Sequence, residues 1–364
     1  MKFPHLAFVF VIIFAALFFC KNAIASPFRI GIPIPLTGDT AMYGEDIRRG
    51  FLLAKELLNA SDVELIFEDD ECSATKGVSI VNKLINVNHV QVVSGMFCNS
   101  ILLAAAPVFN RSGIPVLTSG ANPGDQKGIG KKIFRLFPAD HLGVPPLMQF
   151  ISKRHKSLCM ITETEAYPEL VSRTAKTEWI KYGAIHQLFS EAVNFGEKDF
   201  RAALLRLKQR NCEALFINTV ADDGYIAAHR QAKALSVAPA IYAYYMPGSP
   251  AVQKALGKDL EGVIYATLPS HNDLASNIGI TFHKLYKERY GEFLVAVPSS
   301  LFAFESLRLI LAAKLANTPL DIYLRNRIIS DGAFGPYSFD GDGALQGVEF
   351  KIYQIENGTE IVVR

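Results

Sequence analysis

Apolar positions along this chain alternate between extended runs and helical spacing. Residues 28–36 are apolar and extended, and Pro33 and Pro35 exclude a helix interior. Over 43–59, Ile47, Phe51, Ala54 and Leu58 recur at spacings of three and four, which predicts a helix. Residues 63–67 predict a strand, 75–87 a helix with Val78, Val81, Leu84 and Ile85 on one face, 90–94 a strand, and the segment from Ser100 a further helix. Strands at 114–118 and 133–137 complete this block. Alternation at this spacing implies a parallel sheet with helices on both faces. Right-handed crossovers bring the strands' carboxyl ends to one edge. The loops at 36–43, 68–73, 95–100 and 118–124 therefore share that edge.

A second block repeats the scheme. It predicts helices over 142–154, 167–182 (with the only tryptophan, Trp179), 199–210, 222–235 and 251–256. Its strands fall at 158–162, 185–190, 214–219, 240–245 and 262–268. Helices follow at 280–290, 299–316 and 321–329, with no sheet of their own. A tight turn at Phe339-Asp340-Gly341-Asp342-Gly343 precedes a terminal hairpin, 350–356 and 360–363, around Asn357-Gly358. The fold class is thus α/β, with two Rossmann-like lobes of parallel sheet. Residues 27–141 and 270–331 form lobe one, and 142–269 and 332–364 form lobe two. The hinge has three crossings, near 141, 270 and 331.

The length of 364 residues, half of them apolar, supports two cores and argues against disorder. Residues 1–25 read as a secretory signal peptide. Lys2 is followed by an apolar run over 6–20, too short for a span of roughly 20 residues, and Ala23-Ile24-Ala25 provides the small residues of a cleavage site. Removing them lowers Lys plus Arg from 37 to 35, equal to the 35 Asp plus Glu. A neutral mature chain calls for neither nucleic acid nor an anionic membrane as partner. Export permits disulfides. Cys72 and Cys98 are the best pair, since both follow strands of the first β-α-β unit. Cys159 and Cys212 have the apolar context of buried free thiols, which leaves their redox state open.

Catalytic patterns are missing. The chain has no G-x-S-x-G elbow, no H-E-x-x-H and no phosphate-loop lysine, and no zinc spacing among Cys and His. His155 and His186 read as surface or structural. Glu68-Asp69-Asp70-Glu71 and Asp340-Gly341-Asp342-Gly343 lack the spaced oxygens of a calcium loop and read as solvated acids and a turn. No catalytic residue, metal or cofactor is expected. Two lobes with facing loop-rich edges suit recognition of a small polar ligand, with closure by hinge motion.

The order and spacing of several short motifs resemble the type I periplasmic solute-binding proteins of the leucine/isoleucine/valine-binding kind, over essentially the whole mature chain. The motifs are Pro35-Leu36-Thr37-Gly38 with Tyr43-Gly44, Glu68-Asp69-Asp70-Glu71-Cys72, Gly95-Met96-Phe97-Cys98-Asn99-Ser100, Ser119-Gly120-Ala121-Asn122-Pro123 and Gly196-Glu197-Lys198-Asp199-Phe200. The resemblance implies a Cys72–Cys98 disulfide. It implies a ligand carboxylate held at Asn99, Ser100, Gly120, Ala121 and Asn122, where backbone N–H groups suit an anion. It implies aromatic contacts from Tyr43 on lobe one and Tyr167 on lobe two. Amino-acid binders of this kind hold the ammonium with a lobe-two carboxylate, but the matching stretch, Tyr242-Ala243-Tyr244-Tyr245-Met246, has no acid. Asp222 or Asp223 is the substitute, with Tyr245 beside the ligand; otherwise the ligand lacks an ammonium. The implied ligand is an amino acid, an amide or an aromatic acid. The implied partner is an ABC permease in the inner membrane, served by a periplasmic monomer. The alternatives are a periplasmic sensor of the same fold and, from another class, an exported hydrolase.

Overall fold

The computed structural model describes residues 26–124, 127–269, 276–297, 299–325 and 327–363. The expected signal peptide, 1–25, and the expected crossing near 270 lie outside the described residues. The first block folds as β1 (Phe28–Ile34), α1 (Ala41–Leu57), β2 (Val63–Asp69), α2 (Ala74–Asn86), β3 (Val92–Gly95), α3 (Asn99–Ser112), β4 (Val116–Thr118) and β5 (Ile133–Arg135). These strands form a parallel sheet in the order β2-β1-β3-β4-β5. Ser73 caps α2 by accepting from Lys76 N, and Gly113, at φ 67°, closes α3 in the left-handed region that glycine tolerates.

The second block contains α4 (Val144–Ser152), β6 (Ser157–Thr164), α5 (Ala166–Ile180), β7 (Gln187–Asn194), α6 (Arg201–Lys208), β8 (Ala214–Asn218), α7 (Asp222–Leu235), β9 (Ala240–Tyr244), α8 (Pro250–Leu256) and β10 (Ile264–Thr267). Its sheet runs β10-β9-β8-β6-β7 in parallel and then gains an antiparallel hairpin at the β10 edge. That hairpin, β14 (Lys351–Glu356) and β15 (Thr359–Val362), turns at Asn357 and Gly358 with φ of 50° and 71°. The second sheet is therefore mixed rather than purely parallel.

Helices α9 (Asn277–Tyr290), α10 (Ser299–Leu315) and α11 (Leu320–Leu324) return to lobe one, as their lack of a sheet demands. Asp46 on α1 is buried and accepts hydrogen bonds from the Tyr286 hydroxyl and Ser300 N, both at 2.7 Å, so one carboxylate joins α1, α9 and α10. The α1 and α10 backbones touch at Gly50, where a Cβ would lie 2.3 Å from Ser300 O.

The third crossing departs from expectation. A small sheet of β11 (Ile328–Ile329), β12 (Tyr337–Phe339) and β13 (Leu345–Gln346) sits beside β5: Arg135 bridges Ala344, and Arg135 N donates to Gly343 O. Tyr337 also donates to the buried Glu305 of α10 at 2.6 Å. The chain first pairs with the second sheet at Lys351, so it changes sheets within 347–350 and not near 331. The polar turn at 339–343 looks alike on either lobe, so local pattern could not place this sheet.

Cys72 and Cys98 form a disulfide, with Cα atoms 5.6 Å apart. Cys159 and Cys212 are also bonded, at a Cα separation of 5.7 Å, and are not free thiols. Strand β8 lies directly beside β6, with Leu158 opposite Ala214, and that register carries Cys212 to Cys159.

Candidate functional site

The carboxyl edges of the two sheets face each other and enclose a cavity. Its walls are Tyr43, Phe97, Asn99, Gly120 and the Cys72–Cys98 disulfide from lobe one. Glu165, Tyr167, Val220, Tyr245 and Met246 line it from lobe two, and Phe137 and Asp140 come from the first crossing. The free volume, at the centres of water-sized spheres, is about 50 Å³. Because that volume counts only the positions of sphere centres, the space open to ligand atoms is larger, and the cavity suits a small molecule.

Strand ends are bent to aim these side chains. Cys72, Met96 and Tyr245 follow or lie just past β2, β3 and β9, and all have positive φ, at 56°, 49° and 56°. Non-glycine residues held there cost about 1–3 kcal/mol each and cluster at binding sites. Met96 N donates to Pro33 O and Tyr245 N to Ala266 O, which holds the bends in place. Phe97 then stacks on Tyr43, with ring centroids 4.6 Å apart. Gly120 makes room for it, since a Cβ there would lie 2.7 Å from Phe97 Cδ2.

Polar groups of the cavity centre on two acids. Asp140, buried at the first crossing, accepts from Asn99 Nδ2 at 2.7 Å and from the Tyr245 hydroxyl at 3.4 Å, while its backbone oxygen accepts from the Tyr244 hydroxyl at 2.6 Å. Burial above all, reinforced by the charge of Glu165 and opposed by the Asn99 bond, pushes the Asp140 carboxyl up to about 7. Glu165 caps α5 by accepting from Tyr167 N at 2.9 Å. Its other oxygen, Oε1, and the Tyr167 hydroxyl are buried without a hydrogen-bond partner.

Of the residues expected at the site, Tyr43, Asn99, Gly120, Tyr167 and Tyr245 line the cavity. Ser100, Ala121, Asn122 and Asp222 do not. Ala121 is fully buried, and the Asn122 amide donates to Phe137 O, which supports the loop from behind. Asp222 bridges the lobes: it accepts from the Tyr43 hydroxyl at 3.3 Å and from Ser249 Oγ at 2.5 Å. Burial raises it to about 6 against those two bonds. Asp223 is exposed. The acids that do face the cavity, Asp140 and Glu165, belong to none of the sequence motifs. Only the contact across the crossing places Asp140 there, and the acidic N-cap position before Tyr167 was the available signal for Glu165.

Two α/β lobes with an aromatic cavity between their strand ends define a two-lobed solute receptor. The chain belongs to the periplasmic binding protein family, whose sequence model matches residues 27–321. Among curated relatives, it is 24% identical over 359 residues to the Leu/Ile/Val-binding protein of Escherichia coli K12, covering 94% of this chain and 95% of that one. It is 27% identical over 201 residues to the leucine-, isoleucine-, valine-, threonine- and alanine-binding protein of Pseudomonas aeruginosa, an alignment spanning 53% of each. In fold it is similar to a leucine-binding protein of Thermotoga maritima, with a TM-score of 0.82, 21% identity, and 92% of this chain and 97% of that one covered. A Rhodopseudomonas palustris solute-binding protein in complex with benzoate gives 0.81 at 16% identity, over 93% and 95% of the two chains.

Proposed function

We propose that this protein is the exported solute-binding component of an ABC importer. It captures a small polar ligand between its lobes and presents the closed form to a permease in the inner membrane. It acts in the periplasm as a monomer, without turning its ligand over. The observation that carries this reading is the enclosed interlobe cavity, walled by the ends of strands from both sheets and holding unpartnered polar atoms at Glu165 and Tyr167. Relatives with characterised ligands support it. Tyr43, Asn99, Gly120, Tyr167 and Tyr245 are the ligand contacts in this reading, and Ser100, Ala121, Asn122 and Asp222 support the walls. A thermal-shift and calorimetry panel of amino acids, amides, amines and aromatic acids tests it. At least one compound is expected to raise the melting temperature by several degrees and bind one per chain. A panel with no stabilising compound at millimolar concentration would count against it.

A further inference from the structure

Both charged groups facing the cavity are acidic. Asp140 is 4% exposed, and Glu165 Oε1 is buried without a partner. Among the described residues, no Lys, Arg or His lines the cavity. Two buried carboxylates facing one space repel each other, and a nearby cation relieves the cost of burying them. The surrounding walls are the rings of Tyr43, Phe97, Phe137, Tyr167 and Tyr245. Tyr167 and Tyr245 lie 5.9 Å apart, and Phe137 and Tyr245 lie 6.5 Å apart. Aromatic faces attract organic cations.

Side-chain donors for a carboxylate are spent or missing on the lobe-one side. The Asn99 amide nitrogen is turned onto Asp140, and position 121 is an alanine that does not reach the cavity. Ser100 does not line it either. A carboxylate entering here would sit beside two groups of its own sign.

We propose that the ligand is a small organic cation, an amine without a carboxylate, whose nitrogen is held by Asp140 and Glu165 within the aromatic walls. The assignment rests on reading the cleft as the solute site. Glu165 Oε1 and the Asp140 carboxylate accept from the ammonium, and the ligand's alkyl part packs against Tyr43 and Phe97.

Three matched compounds test this on the mature full-length chain: isobutylamine, L-valine (the same skeleton with a carboxylate) and isobutyramide (a neutral amide). Calorimetry near pH 7.5 is expected to show isobutylamine binding at least tenfold tighter than the other two. Glu165→Gln keeps a capping oxygen for α5, so it is expected to retain the melting temperature and to weaken isobutylamine at least tenfold. Glu169→Gln, on the exposed side of the same helix, is expected to change neither. Valine or isobutyramide binding as tightly as the amine overturns the cation assignment and leaves the solute-binding reading standing. Amine binding unchanged in Glu165→Gln overturns it as well. Silence from all three overturns it too, and the wider reading falls with it only if the broad panel is also silent.

Discussion

At the residue scale, the lobe-one wall depends on a hydrogen standing where any other residue has a carbon. Gly120→Ala would set a methyl 2.7 Å from the Phe97 ring and 3.1 Å from its Cα. The ring cannot retreat, because it is stacked on Tyr43. We expect at least a tenfold loss of ligand affinity by calorimetry; unchanged affinity would show that Phe97 does not shape the wall. Titration gives a second prediction. Burial raises Asp46 and Asp222 to about 6, and Asp70, Asp140 and Glu163 to about 7. Unfolded carboxylates titrate near about 4, so the folded chain holds these protons to higher pH. Their contribution to stability is full below the unfolded value and is lost as pH rises through about 6 to 7. The ligand-free protein should therefore melt at a higher temperature at pH 5.5 than at pH 8 in a thermal-shift scan. A melting temperature that rises over that interval would contradict the burial of these acids. Tyr43, Tyr167 and Tyr245, which the family resemblance singles out, line the cavity. Asp140 was not legible in the sequence, because its place depends on the path of the first crossing and on no local pattern.

At the element scale, the alternation of strand and helix was legible almost throughout, since period two and period 3.6 differ over even short segments. What pattern alone could not supply was lateral order. The Cys159–Cys212 bond follows from β8 lying beside β6 while β7 takes the outer edge. The attachment of β12 and β13 to lobe one follows from the Arg135 bridge to Ala344. Replacing both Cys159 and Cys212 by serine frees a 53-residue separation in the unfolded chain. Removal of such a bond costs about 2–4 kcal/mol, so chemical denaturation should show a lower midpoint. Ligand affinity should change little, because this disulfide lies outside the cavity lining. Reduction of Cys72–Cys98, which lines the cavity, should lower both. Equal effects of the two on affinity would argue against this division.

At the scale of the whole molecule, the lobes meet through buried and rim contacts of unequal weight. At the rim, Lys198 lies 3.2 Å from Asp39 across the cleft, and both side chains are substantially exposed. Exposed pairs contribute about 0.2–1 kcal/mol, so Lys198→Ala should weaken the ligand less than about fivefold. Inside, the Tyr43 hydroxyl reaches Asp222 and the Met246 sulfur, both on the opposite lobe. A hydrogen bond to a charged group contributes about 1.5–3 kcal/mol, so Tyr43→Phe should weaken the ligand about tenfold or more. A reversed order in calorimetry would place the closing force at the rim. The account as a whole claims that this fold exists to hold one small molecule between its lobes. Mass spectrometry of the natively purified protein tests that most directly. We predict a fraction of molecules carrying a single additional mass of a small metabolite, lost on unfolding and bearing a basic nitrogen. A chain that carries no such mass, and takes up none from a metabolite extract, would contradict it.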